Sequence, residues 1–160
     1  MKLHIRASRP EDDDALHHIY FRAVREGTAQ FYTQEQRIAW APSEKRQKPF
    51  DPALICWVAE DEAQPVGFMA VEPGGYLDLA FVLPEYMGRG VGKALYEELL
   101  GWANTIGLKH LTTHASHLAQ RFFLRHGWKV DYPETLERNG QKLERFAMSL
   151  SLKNPQNENP

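Results

Sequence analysis

Gly88, Gly90 and Gly92 stand at alternate positions, and Lys93 follows them. Glycine lets a backbone approach a ligand closely and adopt dihedrals closed to other residues. A helix beginning here would leave its first N–H groups unpaired, with partial positive charge from its dipole. That combination is an anion site suited to phosphate or pyrophosphate. Two phosphate motifs fail on spacing. A P-loop would need glycine where Met87 stands and Ser or Thr where Ala94 stands. A dinucleotide fingerprint would need glycine in place of Lys93. Asp78 suggests a second chemistry, because it interrupts an apolar run where acids are unusual. Burial would raise its pKa into a range useful to a general base; the other reading is a structural carboxylate satisfied by backbone or by an arginine. His114 is the second candidate, an imidazole able to relay a proton near neutral pH. His114-x-x-His117 comes with no cysteine cluster or matching carboxylate motif, so no metal is expected.

The elements that would position these groups follow from pattern. Leu3 to Arg6 alternates as a strand. Ser8-Arg9-Pro10-Glu11 reads as a capping box, followed by a helical stripe through Ala15/Leu16, Ile19/Tyr20 and Ala23/Val24 that Gly27 stops. His17 and His18 are expected on that helix's surface. Thr33 to Gln36 is a second box, opening a short helix with Ile38 and Trp40 that Pro42 ends. Ser43 to Pro52, with Lys45, Arg46 and Lys48, reads as a helical turn and a loop. Leu54–Glu60 and Pro65–Val71 form a hairpin. Tyr76–Val82 is a third strand, and the glycine turn leads from it into a helix, Gly92–Ile106. Leu108–Ala115 is a strand, and Ser116 can cap a helix from His117 to His126. Trp128–Leu136 and Lys142–Leu152 are joined through Asn139-Gly140, a strong hairpin signal.

A length of 160 residues suits one domain with a proper core. The formal net charge of −2 gives no sign of nucleic acid as a partner. Cys56 is the single cysteine, which excludes an internal disulfide and fits a reducing cytoplasm. No apolar stretch is long enough to span a membrane. The polar tail from Lys153 to Pro160 is expected to be disordered, leaving residues 1–152 as the domain.

Strand, Pro-Glu, then Met87-Gly88-Arg89-Gly90-Val91-Gly92 resembles motif A of the GNAT acetyltransferase superfamily, written Arg/Gln-x-x-Gly-x-Gly/Ala. Met87 departs from it at the first position. Ala119-Gln120-Arg121-Phe122-Phe123 through Gly127-Trp128 resembles motif B, Ala-x-x-(Phe/Leu)-Tyr-x-x-x-Gly-Phe, with Ser116 where the motif has Asn. The order β-α-α-β-β-β-α-β-α-β-β is similar to that of the whole GNAT fold, an α/β architecture with a mixed sheet splayed at the coenzyme site. Phe31-Tyr32-Thr33 with Ala39-Trp40-Ala41 resembles a bacterial subgroup carrying the Phe-Phe form of motif B.

The resemblance implies acetyl-CoA as cosubstrate and no metal. It implies that backbone amides from Met87 through Gly88, Arg89, Gly90, Val91 and Gly92 to Lys93 hold the pyrophosphate, and that Phe81 and Val82 pair with the pantetheine arm. Ser116, Ala119, Phe122 and Phe123 would line the same site. The side chains of Arg89 and Lys93 would meet phosphate, or else be solvated surface cations. The plainer role for Ser116, and the one favoured over catalysis, is to cap its helix. The family's general acid is often the motif B tyrosine, and Phe123 has no hydroxyl. Tyr20, Tyr32, Tyr86 and Tyr132 are open substitutes. Acceptor recognition would fall to Thr28, Phe31, Tyr32 and Trp40, unless these simply pack on the sheet. The function implied is N-acetyl transfer to a primary amine of a small molecule or peptide by direct attack in a ternary complex, with a homodimer compatible with the family's habits. The rival is a non-catalytic acetyl-CoA-binding or sensing module, which Phe123 keeps open; a third is a domain with a vestigial site.

Overall fold

The computed structural model describes residues 1–46 and 48–152, so the tail from Lys153 lies outside the described residues. Its strands are β1 (Leu3–Ala7), β2 (Ile55–Asp61), β3 (Gln64–Val71), β4 (Tyr76–Val82), β5 (His110–Ala115), β6 (Lys129–Arg138) and β7 (Gln141–Ser151). The α-helices are α1 (Asp13–Arg22), α2 (Gln34–Trp40), α3 (Val91–Thr105) and α4 (His117–Arg125). One mixed α/β sheet runs in the order β1-β2-β3-β4-β5-β7-β6. Every neighbouring pair is antiparallel except β4 with β5. Helices α1 and α3 pack on the β1–β4 half, and α2 and α4 on the other.

Apolar periodicity explains the core. Ile19 and Val24, Val58, Phe68 and Val71, Leu95 and Leu99, and Leu111 are fully buried. Tyr96 is buried too, and its hydroxyl accepts a 2.7 Å hydrogen bond from the Trp128 indole, tying α3 to the chain beyond α4. Thr33 caps α2 as its box requires, its side chain accepting from the Gln36 amide at 3.1 Å. Asn139 and Gly140 turn β6 into β7 with φ of 48° and 83°, the left-handed pair of a tight hairpin.

Several expectations are corrected. The first capping box is displaced by one residue: Asp12, not Glu11, accepts from a cap amide, that of Arg9, at 2.7 Å. Arg6 draws Asp12 inward with two bonds of 2.7 and 2.8 Å, while the Ser8 amide donates to the Cys56 carbonyl. Helix α1 runs on into a π-helical segment, Ala23–Gly27. His17 is buried against the Phe50 ring at 4.4 Å instead of lying on the surface, whereas His18 is exposed and pairs with Glu44. No helical turn forms among the described residues of Ser43–Pro52.

Arg6 also lies 3.0 Å from Glu60, so one guanidinium serves two carboxylates at the β1 edge. Arg6→Met is expected to lower stability by about 3–5 kcal/mol in denaturant titration, because it strands two poorly solvated acids. The Arg6 hydrogen bond holds the Asp12 carboxyl below its usual range. A depressed carboxylate stabilises above its unfolded pKa and loses that contribution as pH falls through its folded value. The variant should therefore show a shallower loss of stability on acidification.

Candidate active site

Strand β4 meets β5 at only two residue pairs, Tyr76 with Thr112 and Leu77 with Thr113. There the buried Thr113 hydroxyl donates to the Leu77 carbonyl at 2.7 Å. Beyond the fork β5 follows β7 as far as Phe146, while β4 stays with β3 as far as Gly67 opposite Val82. From Asp78 onward β4 therefore has no strand on its β5 side, and two cavities occupy the gap.

The first cavity, about 390 Å³, lies at the C-terminal end of β4. Phe81, Val82, Met87, Gly88, Gly90, Gly92 and Lys93 line it from one side, and Ser116, Ala119, Phe122 and Phe123 from α4. Gly90 is the N-cap of α3 at φ 85°, and a Cβ there would meet nothing within 4 Å. Its glycine is thus required by backbone conformation, and the space beside it is open. At Gly67 the constraint is contact: a Cβ would stand 3.0 Å from Val91 and 3.2 Å from the Phe81 carbonyl, so its absence lets the start of α3 rest on the sheet. Lys93, Arg125 and His126 bring the polar groups. Burial, then Arg125 and Lys93, push the His126 pKa down. Glycine turn, open strand edge and nearby cations fit a phosphorylated molecule with an extended arm.

Two expected contributors stand apart. The Arg89 guanidinium sits 4.8 Å over the Tyr86 ring and is not among the lining groups. The Val91 side chain is in the core, 1% exposed, so only its backbone can face a ligand. Phe123 is 2% exposed and packs 4.7 Å from Trp128, forming apolar wall rather than a proton donor.

The second cavity, about 380 Å³, opens beside the fork. Asp78 and His114 both line it, with Tyr20, Tyr32 and Trp40. Asp78 is exposed to the cavity, yet desolvation by its walls raises its carboxyl above the usual range, opposed by Arg46 and reinforced by Asp51. His114 Nδ1 shares a 2.8 Å hydrogen bond with the Tyr76 hydroxyl, and its Nε2 lies 3.7 Å from Glu134. Burial and then the charge of Asp78 push the Tyr76 pKa up. Trp40, Phe81 and Ser116 line both cavities and so form the wall where they meet. Ser116 also caps α4, accepting from the Ala119 amide at 3.1 Å.

The expected acceptor residues separate. Tyr32 and Trp40 line the second cavity, and the Tyr32 hydroxyl donates to the Glu144 carbonyl and accepts from the His117 amide. Thr28 is on the other side of the wall, lining the first cavity with its hydroxyl donated to the Val24 carbonyl. Phe31 lines neither, stacking on His117 under the Arg121 guanidinium. Of the substitute tyrosines, Tyr20 faces the second cavity, Tyr86 turns its hydroxyl to Asp61 at 2.7 Å, and Tyr132 is 53% exposed. Tyr76, Arg46, Arg138 and Arg145 are cavity residues the sequence reading missed. For Tyr76 a signal existed: it lies two positions before Asp78, hence on the same strand face. Among the described residues no group of three or more His, Cys, Asp or Glu is placed to hold a metal ion, and no helix is long and apolar enough to cross a membrane.

Residues 23–151 match the family described as the acetyltransferase (GNAT) domain. The uncharacterized N-acetyltransferase YafP of Escherichia coli K12 is 36% identical over 148 residues, covering 91% of this chain and 94% of that protein. The peptidyl-lysine N-acetyltransferase YjaB of Salmonella typhimurium is 34% identical over 131 residues, covering 81% and 86%. A crystal structure of a GCN5-related N-acetyltransferase from Rhodopseudomonas palustris superposes with a TM-score of 0.85 at 30% identity, covering 95% of this chain and 97% of that one.

Proposed function

This chain belongs to the GNAT acetyltransferase family, and from that premise we propose that it moves an acetyl group from acetyl-CoA to a primary amine by direct attack in a ternary complex. One observation carries the reading. The unpaired edge of β4 separates a glycine-lined cleft from a cavity holding a carboxylate of raised pKa, and among the described residues only Trp40, Phe81 and Ser116 line both. Backbone amides from Gly88 to Lys93 hold the pyrophosphate, the expected Met87 amide being taken by the Pro84 carbonyl at 3.2 Å, and Phe81 and Val82 orient the extended arm. When bound, acetyl-CoA supplies the thioester carbonyl. Asp78 takes the proton that the amine loses as its nitrogen bonds to that carbon. As the carbon–sulfur bond breaks, the thiolate leaves past Phe123, which has no proton to give, and is protonated from solvent. Asp78 returns that proton to solvent in its open cavity; Tyr76 and His114 share a hydrogen bond on the same cavity wall. The acceptor is a small molecule or a peptide; the name of YjaB, with lysine in peptides, keeps the second class in view.

Calorimetry with acetyl-CoA and free CoA, followed by a thiol-release assay over a mixed panel of amines, tests this. Binding with release is expected. Binding without release across a broad panel would favour a coenzyme-sensing module, the reading Phe123 supports. No binding would remove the proposal altogether.

A further inference from the structure

We propose that the acceptor carries a carboxylate, seated on Arg46 and Arg138, while its amine faces Asp78. The inference rests on the acetyltransferase reading and follows from the charges lining the second cavity, which are Arg46, Arg138, Arg145, Asp51, Asp78 and Glu144. Three of these are engaged. Arg145 donates to Glu134 at 2.5 Å, Glu144 lies 2.9 Å from His117 Nε2, and Asp51 accepts from the Ala53 amide at 2.9 Å. Among the described residues, Arg46, Arg138 and Asp78 make neither an ion pair nor a side-chain hydrogen bond. The amide leaves the Asp51 charge in place, so among the described residues Asp51 and Asp78 face Arg46 and Arg138 with no charged partner of their own, a balanced lining complementary to a molecule with one amine and one anion.

Arg46 is also the better organised of the two cations. Its guanidinium lies 4.6 Å over Phe50 and 5.2 Å from the Tyr20 ring centre. A stacked guanidinium has lost much of its rotational freedom and keeps its N–H edge for planar, two-pronged bonding to a carboxylate. A simple alkylamine leaves both cations unanswered, and a polyamine adds like charge beside them. The chemistry that fits is an amino acid or the amino-carboxylate end of a short peptide.

Paired acceptors that differ only in the carboxylate decide the matter: phenylalanine against phenethylamine, and leucine against isoamylamine. A dipeptide with its C-terminus free or amidated separates the peptide source from the free amino acid. For the wild-type protein, kcat/KM is expected to favour the carboxylate partner by about tenfold or more, the worth of one charge-assisted hydrogen-bond pair. Arg46→Gln should collapse that ratio through KM, and Arg138→Gln should reduce it. A merely structural role for Arg46 would lower both members of a pair and preserve the ratio. Equal kcat/KM within every pair, or a ratio that survives Arg46→Gln, overturns the proposal. If Arg46→Gln does not fold, Arg46→Lys keeps the charge but loses the fork and is expected to show an intermediate ratio. The same pairs titrated calorimetrically into CoA-loaded protein judge the inference without turnover. Absence of thiol release would then count against acetyl transfer alone, whereas tighter binding of the carboxylate partners would still support the cation seat and equal binding would refute it.

Discussion

Replacing Gly90 by valine is expected to weaken acetyl-CoA binding by about 100-fold or more, close to 3 kcal/mol. Two effects combine. At φ 85° an L residue is strained by about 1–2 kcal/mol, and a β-branched one sits there worst. Relaxing that strain rotates the peptide at the head of α3 and turns away the amides that would meet pyrophosphate. The side chain would also project into the open space beside the turn, since nothing lies within 4 Å of a Cβ at this position. Gly101→Ala is the matched control. Gly101 lies inside α3 with no neighbour near its Cβ, so alanine there should stabilise the helix and leave affinity unchanged. A folded Gly90→Val protein with wild-type affinity would show that the phosphate site has been misplaced.

Asp78→Asn is expected to lower kcat by about 10²–10⁴, the range of general-base contributions, with little change in coenzyme affinity. The pH profile makes the sharper test. A base works ionised, so wild-type kcat/KM should rise with pH through a value above the ordinary carboxylate range, and this limb should vanish in the variant. Stability should move the other way. A carboxyl whose folded pKa is raised binds its proton more tightly in the folded state, so it favours folding at low pH and loses that favour as pH rises through the folded value. Asparagine removes the charge, and Tm at neutral pH should rise slightly. A structural carboxylate predicts the reverse on both counts, with turnover preserved and stability lost.

Local chemistry made much of this legible. The strand bounds Tyr76–Val82, the Thr33 box and the Asn139-Gly140 turn depend on residues adjacent in the chain, and they appear where pattern put them. The misses share one cause, which is distant contact. Ser8 is a good capping residue, but Arg6 reaches across to Asp12 and the cap shifts. His17 reads as surface until the chain near Phe50 folds over it. In the candidate site the glycine turn was legible because its motif is contiguous, and Asp78 stood out as an acid among apolar neighbours. Arg46 and Arg138 were not, since a solvated loop cation and a cavity cation look alike until the elements around them are placed.

The parting of β4 from β5 also creates a sheet edge in the interior of the protein. Edges at the periphery are usually guarded by lysine, proline or a bulge, because their free N–H and C=O groups can template pairing with another chain. A register shift places a bulge at Asp78, but Leu79, Ala80, Phe81 and Val82 beyond it include neither lysine nor proline. They pack against the core, which keeps charge out of this stretch of the strand beyond Asp78. Shielding falls instead to Trp40 of α2 and to Leu118, Ala119 and Phe122 of α4, which line the same cleft. Substitutions that loosen those helices therefore carry a hazard separate from lost catalysis: an apolar, unpaired strand exposed to its neighbours in solution, and with it a tendency to self-associate.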